Sequence, residues 1–437
     1  MQQYILKNNL KYCKFDDIKE CFSYTKYMLK EGYNLEKNIE LTFKLVKGDD
    51  EIVVSYLPYY KKIEQNEDFN YYNSDIKTMI PDYNNNFLNV MNVYHNKFTG
   101  DKRKEDCDIK KLDDNNIKHI VYIILDGLGS KILKHLEPTS FLRRHHIKNI
   151  SAIYPPTTVA ATTAMQANLN PIESGWLGWH NYFEEVNESL VMFMGIDYFN
   201  KNSPKLLDVK SILPVPNFYD NYTEKGYIIM PDFSKESNIS YELDKLKDII
   251  NKDEINVSYL YNTMPDSLLH VHGTNSPIVT NKLEEIDYKL EEFSKTLCND
   301  TILIITADHG HINCPRVIDL TQVSLIWDML DRKPQNEART CFFKVKKEYY
   351  ETFPIIFNKL FSSCYKLYTR EEFINAGFLG SGKKHTRIDN FIGDYVGVAT
   401  SDAIFNYSGE DDPHFISHHA GLTIDEMLIP LIYFRNK

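Results

Sequence analysis

"IITADHGHI" (residues 304–312) decides how this chain is read, because the end of an apolar run leads there into an Asp-His pair and a glycine. The run Thr301-Ile302-Leu303-Ile304-Ile305 is rich in β-branched and apolar residues and too short for a buried helix. It reads as a strand covered on both faces, as in a parallel sheet. Open α/β sheets place their binding sites at the carboxyl ends of such strands. Asp308 and His309, with His311 just beyond, are therefore either metal ligands at a strand end or polar residues of a solvated turn. The rest of the chain has to decide.

Bulk properties narrow the choice. A chain of 437 residues has room for one large α/β domain and a smaller inserted or appended one. Its 43% apolar, 13% aromatic and 25% charged residues are the composition of a folded protein. A net charge of −11 argues against stable nucleic-acid binding, which needs clustered Lys and Arg. It leaves room for a small anionic substrate, since bound divalent cations reverse the local field. The opening segment "MQQYILKNNLKYCKF" lacks the apolar core of a signal peptide, and no apolar run approaches transmembrane length. A cytoplasmic protein without a membrane partner is expected. The seven cysteines are scattered and form no CxxC pair, so reduced thiols are expected, with neither a disulfide framework nor a zinc ribbon.

Further strand candidates follow "HIVYIIL" (119–125): "GYIIM" (226–230), "NVSYLYN" (256–262) and "MLIPLIYF" (427–434). Helical patterns lie between several of them, for example across residues 276–297. Strands alternating with helices imply an α/β fold of three layers, α/β/α, around a mainly parallel central sheet. Residues 1–115 read as an N-terminal accessory region, closed by the charged stretch "KRKEDCDIKKLDDNN" (102–116), and residues 116–437 as the core. At about 316–400 the segments "TCFFKV", "EYYETFPIIFNKLF", "YKLYTR" and "EEFINAG" alternate strand and helix, which suggests a smaller inserted α/β lobe.

The same question recurs at each strong strand. "VYIILDGLGS" ends in Asp126-Gly127, and "VSYLYNTMPDSLLHVHG" carries Asp266 with His270 four residues later. On a helix that spacing puts both side chains on one face, within reach of one cation. "SHHAGL", before the final strand, supplies His418 and His419. Each has a plain alternative: an Asp-Gly turn, an N-cap aspartate, a surface histidine pair. Four such clusters at successive strand ends make coincidence a poor explanation. Asp and His without Cys suit Zn²⁺ or Mn²⁺, and the set is large enough for two divalent metal ions. "YPPTTVAATTAM" (154–165) adds a hydroxyl, because Thr158 falls at the start of a helix-forming run, where backbone amides and the helix dipole favour an anion. Read by itself, that threonine is an ordinary N-cap.

The ordered set DG (126–127), PPTT (155–158), PDxxxHxxG (265–273), ADHG (307–310) and HAGLTxDEM (419–427) resembles the alkaline phosphatase superfamily. Within it, the set is most similar to the nucleotide pyrophosphatase/phosphodiesterase branch, over residues 119–437. The resemblance implies an α/β/α fold with two metals, usually zinc, that cleaves phosphodiester or pyrophosphate bonds through a covalent threonine intermediate. It implies Asp126, Asp308, His309 and the nucleophile Thr158 at one metal, and Asp266, His270 and His419 at the other. The family's spacing selects Thr158 over Thr157, and the small residues of "HAGL" select His419 over His418.

Two positions depart from the pattern. Val159 stands where many members stack an aromatic on a nucleobase, and Ala161 where they hold a phosphoryl oxygen with Asn. Thr162 or Thr163 is a candidate for that second role, and Trp176, Trp179 or Tyr182 for a stacking wall, with burial in the core as the competing reading. Phosphonoacetate hydrolase and phosphomonoesterase activity remain alternatives on the same ligands, as does a metal-stabilised binding protein without turnover. A sulfatase would need a Cys or Ser in a Cys-x-Pro-x-Arg-like context, which "YPPTT" does not offer.

Overall fold

Runs of Val, Ile and Tyr with no polar alternation become strands buried on both faces. In the computed structural model these are β1 (His119–Leu125), β4 (Asn256–Asn262) and β5 (Thr301–Thr306), buried at every position. Two more lie within a residue of expectation, β3 (Lys225–Ile229) and β6 (Leu428–Arg435). The sixth, β2 (His146–Ser151), has only a half-buried pattern, so no apolar run announced it. The structure describes residues 2–3, 10–15, 18–39, 42–47, 50–56, 76–92, 117–200, 202–217, 225–229, 238–251, 255–408 and 415–436. Met230 and the charged stretch expected to close the accessory region, residues 102–116, lie outside them.

The central sheet has the order β3-β4-β1-β5-β6-β2. Strands β3, β4, β1 and β5 are parallel, and β6 runs against both β5 and β2. The sheet is thus mixed but mainly parallel, and its parallel strands deliver their carboxyl ends to one edge. Helices pack upon it in a shared core of Ile, Leu, Val and Phe side chains. The helix α4 (Pro277–Ser294) shows why the pattern works. Ser276 caps its first turn by accepting from the Ile278 amide, and Pro277 suits the first helical position. Val279, Leu283, Ile286, Leu290 and Phe293, spaced three and four apart, form its buried stripe. The expected α/β class is the one observed.

A second sheet has the strand order Tyr365–Thr369, Tyr395–Ala399, Thr340–Phe343, Gln335–Asn336, His180–Phe183, Glu188–Val191. We keep about 316–400 as the proposed extent of the inserted lobe; its sheet also takes in the hairpin at 180–191. In the accessory region, Asn34–Ile39, Thr42–Lys47 and Asp50–Tyr56 belong to a five-stranded sheet. Its Leu35, Leu45 and Val54 share a core with Phe343 and Phe357 of the lobe. Among the described residues no helix is long and apolar enough to cross a membrane, and Cys298, Cys314, Cys341 and Cys364 are free thiols.

One buried ion pair joins the lobe to the central sheet. Arg339 is fully buried, with its Nε and Nη2 donating to Glu426 at 2.6 and 2.7 Å and its Nη2 also donating to the Ser401 carbonyl at 2.8 Å. Glu426 in turn accepts from the Gly421 amide at 2.7 Å and the Thr423 hydroxyl at 2.6 Å. The turn so held carries His419. Replacing one member leaves an uncompensated buried charge, so Arg339→Met should lose about 3–5 kcal/mol of stability in urea unfolding; a loss under about 1 kcal/mol would contradict this reading of the pair.

Candidate active site and metal centre

The carboxyl ends of β1, β4 and β5 bring three aspartates together. The Asp126 amide donates to the Asn262 carbonyl at 3.0 Å, and the Asp266 amide donates to the Asp126 carbonyl at the same distance. The Gly127 and His309 amides donate to Asp308 Oδ1 at 3.1 and 2.9 Å. Gly127 has φ +74°, and a Cβ there would lie 3.0 Å from His311 Cδ2 and 3.1 Å from Asp266 Cα. The Asp-Gly turn of the sequence is therefore also a tight seam between the loops that carry the candidate ligands. Backbone bonds, not side-chain chance, fix these carboxylates.

All seven residues expected at the site meet there. Asp126, Asp308 and His309 form one group whose ligand atoms lie within 4.8 Å of one another. Asp266, His309, His311 and His419 form a second such group, so His309 is common to both. His270 stands one helical turn after Asp266 on α3 (Asp266–His272), its Nε2 3.4 Å from Asp266 Oδ1. Thr158 opens α1 (Thr158–Ala167), its Oγ1 3.4 Å from His309 Nε2. His418, directly after Ser417 on the short strand Ser417–His418, turns its Nε2 to the Phe415 carbonyl at 3.2 Å and belongs to neither group.

The hydrogen bonds on the far side of each ring aim the near nitrogen inward. His419 Nδ1 is 3.1 Å from the Pro156 carbonyl, His270 Nδ1 is 2.8 Å from the Ser417 carbonyl, and His309 Nδ1 is 3.2 Å from the Gly310 carbonyl. A carbonyl can only accept, so each Nδ1 carries a proton, and in the neutral ring Nε2 is then the nitrogen left to bind a metal. His311 was named in the sequence only as lying beyond the Asp-His pair, yet it is fully buried in the site. The signal was present: residues two apart in an extended segment point the same way, which places His311 beside His309.

Several features fit divalent cations. Asp126 Oδ1 and Asp308 Oδ2 are buried and accept no hydrogen bond among the described residues. Burial, then the neighbouring Asp266 and Asp308 charges, pushes the Asp126 carboxyl well above the usual range. Burial also raises Asp308, against the pull of His309. The Tyr261 hydroxyl donates to the other oxygen of Asp126. Burial works against the Asp266 carboxylate too, but His270, His311 and His419 outweigh it and hold it well below the usual range. Burial meanwhile pushes His311 down to about 4. His311 Nε2 lies 2.6 Å from Asp266 Oδ1, a carboxylate oxygen that can only accept. The Ser417 hydroxyl donates to the Leu269 carbonyl at 2.7 Å, and its oxygen lies 3.0 Å from His311 Nδ1. Crowded carboxylates with orphan oxygens and inward imidazole lone pairs are a donor set for hard or borderline metals.

The departures on α1 now have a physical account. Val159 and Ala161 are both fully buried in the core, so neither position faces a ligand. The Thr162 hydroxyl bonds back to the Thr158 carbonyl, which removes it from the oxygen-binding role. Trp176 is core, its Nε1 donating to the Leu213 carbonyl at 3.0 Å, while Trp179 is 37% exposed and lines a cavity of about 730 Å³ that opens on Thr158, Asp266, His270 and His419. Tyr182 takes neither place; its ring lies under Arg332. Sequence reasoning also missed Glu337, which lines the same cavity, and nothing in its local sequence marks it.

Residues 208–414 match the family model described as Type I phosphodiesterase / nucleotide pyrophosphatase. Murine ectonucleotide pyrophosphatase/phosphodiesterase 5 is similar in structure over 71% of this chain and 87% of its own, at 16% identity and a TM-score of 0.54. The human form is similar over 72% of this chain and 89% of its own, at 17% identity and a TM-score of 0.52. Phosphonoacetate hydrolase from Sinorhizobium meliloti, in complex with phosphonoformate, covers the same shares at 15% identity and a TM-score of 0.54. An inactive form of the murine protein is known in complex with AMP. At these identities the structural likeness is one of fold. With the family match, these neighbours support a phosphoryl hydrolase.

Chelator-stripped protein titrated with zinc in a calorimeter should take up two equivalents. Asp308→Asn should lose one of them while circular dichroism stays unchanged, and His418→Ala should keep both. Wild-type uptake by Asp308→Asn would remove Asp308 from the centre.

Proposed function

We propose that this chain, which resembles the alkaline phosphatase superfamily and within it the nucleotide pyrophosphatase/phosphodiesterase branch, is a metal-dependent hydrolase of phosphodiester or pyrophosphate bonds. Its substrate is a small phosphate ester, handled in the cytoplasm. One observation carries the reading: a helix-opening threonine stands beside two overlapping groups of buried carboxylates and histidines at the mouth of one cavity.

Asp126, Asp308, His309 and Thr158 would hold one cation, and Asp266, His270 and His419 the other, with His311 bearing on Asp266. Zinc is the first choice and manganese the second. Bound there, the cations supply charge neutralisation for the phosphoryl group and a lowered pKa for the hydroxyl. Thr158 Oγ1 attacks phosphorus in line. As the Oγ–P bond forms, the P–O bond to the departing alcohol or phosphate breaks, and the hydroxyl proton balances the leaving oxygen. Water then cleaves the phosphothreonine ester and regenerates Thr158. Two displacements retain configuration at phosphorus. The amides at the start of α1 favour the anion throughout. The likeness to phosphonoacetate hydrolase keeps a phosphonate substrate as the second reading.

Thr158→Ala should keep both metals and lose diesterase activity by several orders of magnitude, because water substitutes poorly for a positioned nucleophile. Thr158→Ser should keep part of the rate, since the hydroxyl survives. The assay compares bis-p-nitrophenyl phosphate, p-nitrophenyl phosphate and phosphonoacetate, and rapid acid quench with mass spectrometry looks for phosphate on residues 154–168. An unimpaired Thr158→Ala enzyme with no adduct would overturn the covalent route, and faster turnover of phosphonoacetate would favour the second reading.

A further inference from the structure

Behind the reacting end, the cavity has a wall of different chemistry. Trp179, His180, Tyr198 and Tyr407 line it, with Asn336 and Glu337 between them. Among its described lining residues there is no Lys and no Arg. His180 brings no positive charge, because burial pushes it down to about 3. It is stacked on Tyr198 with ring centres 3.7 Å apart and lies 3.1 Å from the Tyr407 hydroxyl. The acidic side chains that face the cavity are Asp266, already placed in the metal centre, and Glu337.

Glu337 is held in an unusual way. The Thr157 hydroxyl and the Trp179 amide both donate to its Oε1, each at 2.7 Å. Thr157 is the N-cap of α1, yet its side chain makes no capping bond; it is turned to the carboxylate instead. Among the described residues no hydrogen bond reaches Oε2. Burial raises the Glu337 carboxyl to about 7, against the pull of the two hydrogen bonds. Glu337 lines the cavity, and its carboxyl group, tethered through one oxygen, has no hydrogen bond to the other among the described residues, one residue away from Thr158 along the Thr157 link.

The electrostatics select among substrates. A nucleoside polyphosphate would bring further phosphates to a wall that offers them no cation and one acid. A neutral alcohol would leave the carboxylate desolvated and unpaired. A positively charged amine would pair with Oε2 and lie against the indole of Trp179, whose ring face also attracts cations. We propose that the cavity takes a phosphodiester whose alcohol carries an amine cation, with Glu337 as its counter-charge and Trp179 as its aromatic wall, in preference to a nucleoside polyphosphate. This rests on the phosphohydrolase reading and narrows it. A primary ammonium would donate a hydrogen bond to Oε2, whereas a quaternary ammonium would meet it by charge alone.

The test uses four probes on the metal-loaded full chain. They are the p-nitrophenyl phosphodiesters of ethanolamine, of choline and of 3,3-dimethylbutanol (the neutral isostere of choline), with ATP as the polyphosphate. The better cationic ester should exceed the neutral isostere in kcat/KM by roughly tenfold or more, the scale of one cation–carboxylate and cation–π contact. ATP should be the poorest substrate. In Glu337→Gln the cationic preference should fall to within about threefold of unity, whatever the absolute rate. Which cationic ester leads identifies the primary or the quaternary amine. Independently of turnover, phosphocholine or phosphoethanolamine should bind the wild-type protein roughly tenfold more tightly than 3,3-dimethylbutyl phosphate in calorimetry. Turnover without cationic preference, equal affinities, or ATP as the best substrate would overturn the proposal and leave the phosphohydrolase reading standing. No turnover of any ester, with no phosphothreonine formed, would sink that reading and this proposal with it.

Discussion

Three carboxylates cannot share one buried site without positive charge between them. Asp126 and Asp308 are buried, each with an oxygen that accepts no hydrogen bond among the described residues, and Asp266 faces both across the same strand ends. Among the described residues the ion-pair contacts of Asp126, Asp266 and Asp308 are all with histidines. Two divalent cations would resolve this conflict, and it explains why the chain spends buried polar groups where a parallel sheet would otherwise carry only apolar ones. Sheet topology supplies the geometry. Parallel β4, β1 and β5 are neighbours, so their successors Asp266, Asp126 and Asp308 fall side by side.

The second lobe completes the site from the other side. Arg339, through Glu426, secures the turn that presents His419, and the neighbouring Glu337 and Asn336 form part of the cavity wall. One short segment thus reaches both parts of the candidate site: residue 339 holds the turn that carries His419, and residue 337 lines the cavity. The same segment belongs to a sheet that also includes the hairpin at 180–191, whose approach carries Trp179.

What the sequence made legible follows from the same physics. Strands β1, β4 and β5 were readable because a strand buried on both faces needs an unbroken apolar run. The candidate ligands stood out because such strands end where the sheet's polar groups gather. β2 escaped because an edge strand with a half-buried face has no such run. His311 was visible as a residue but not as a partner of Asp266, since that contact depends on how β5's continuation meets α3. Trp176 and Trp179 are three residues apart and chemically identical, yet one is core and the other faces the cavity. Only tertiary packing separates them. Glu337 lies 179 positions after Thr158, and its meaning arises entirely from the hydrogen bonds of Thr157 and Trp179 to one of its oxygens.

The central claim is that this carboxylate-histidine cluster is a two-metal centre, and anomalous scattering at the zinc edge tests it most directly. Crystals grown with zinc should show two strong peaks, one among Asp126, Asp308 and His309 and one beside Asp266 and His419. A single peak, or none at these residues with the aspartates paired instead to protein donors, would contradict the account.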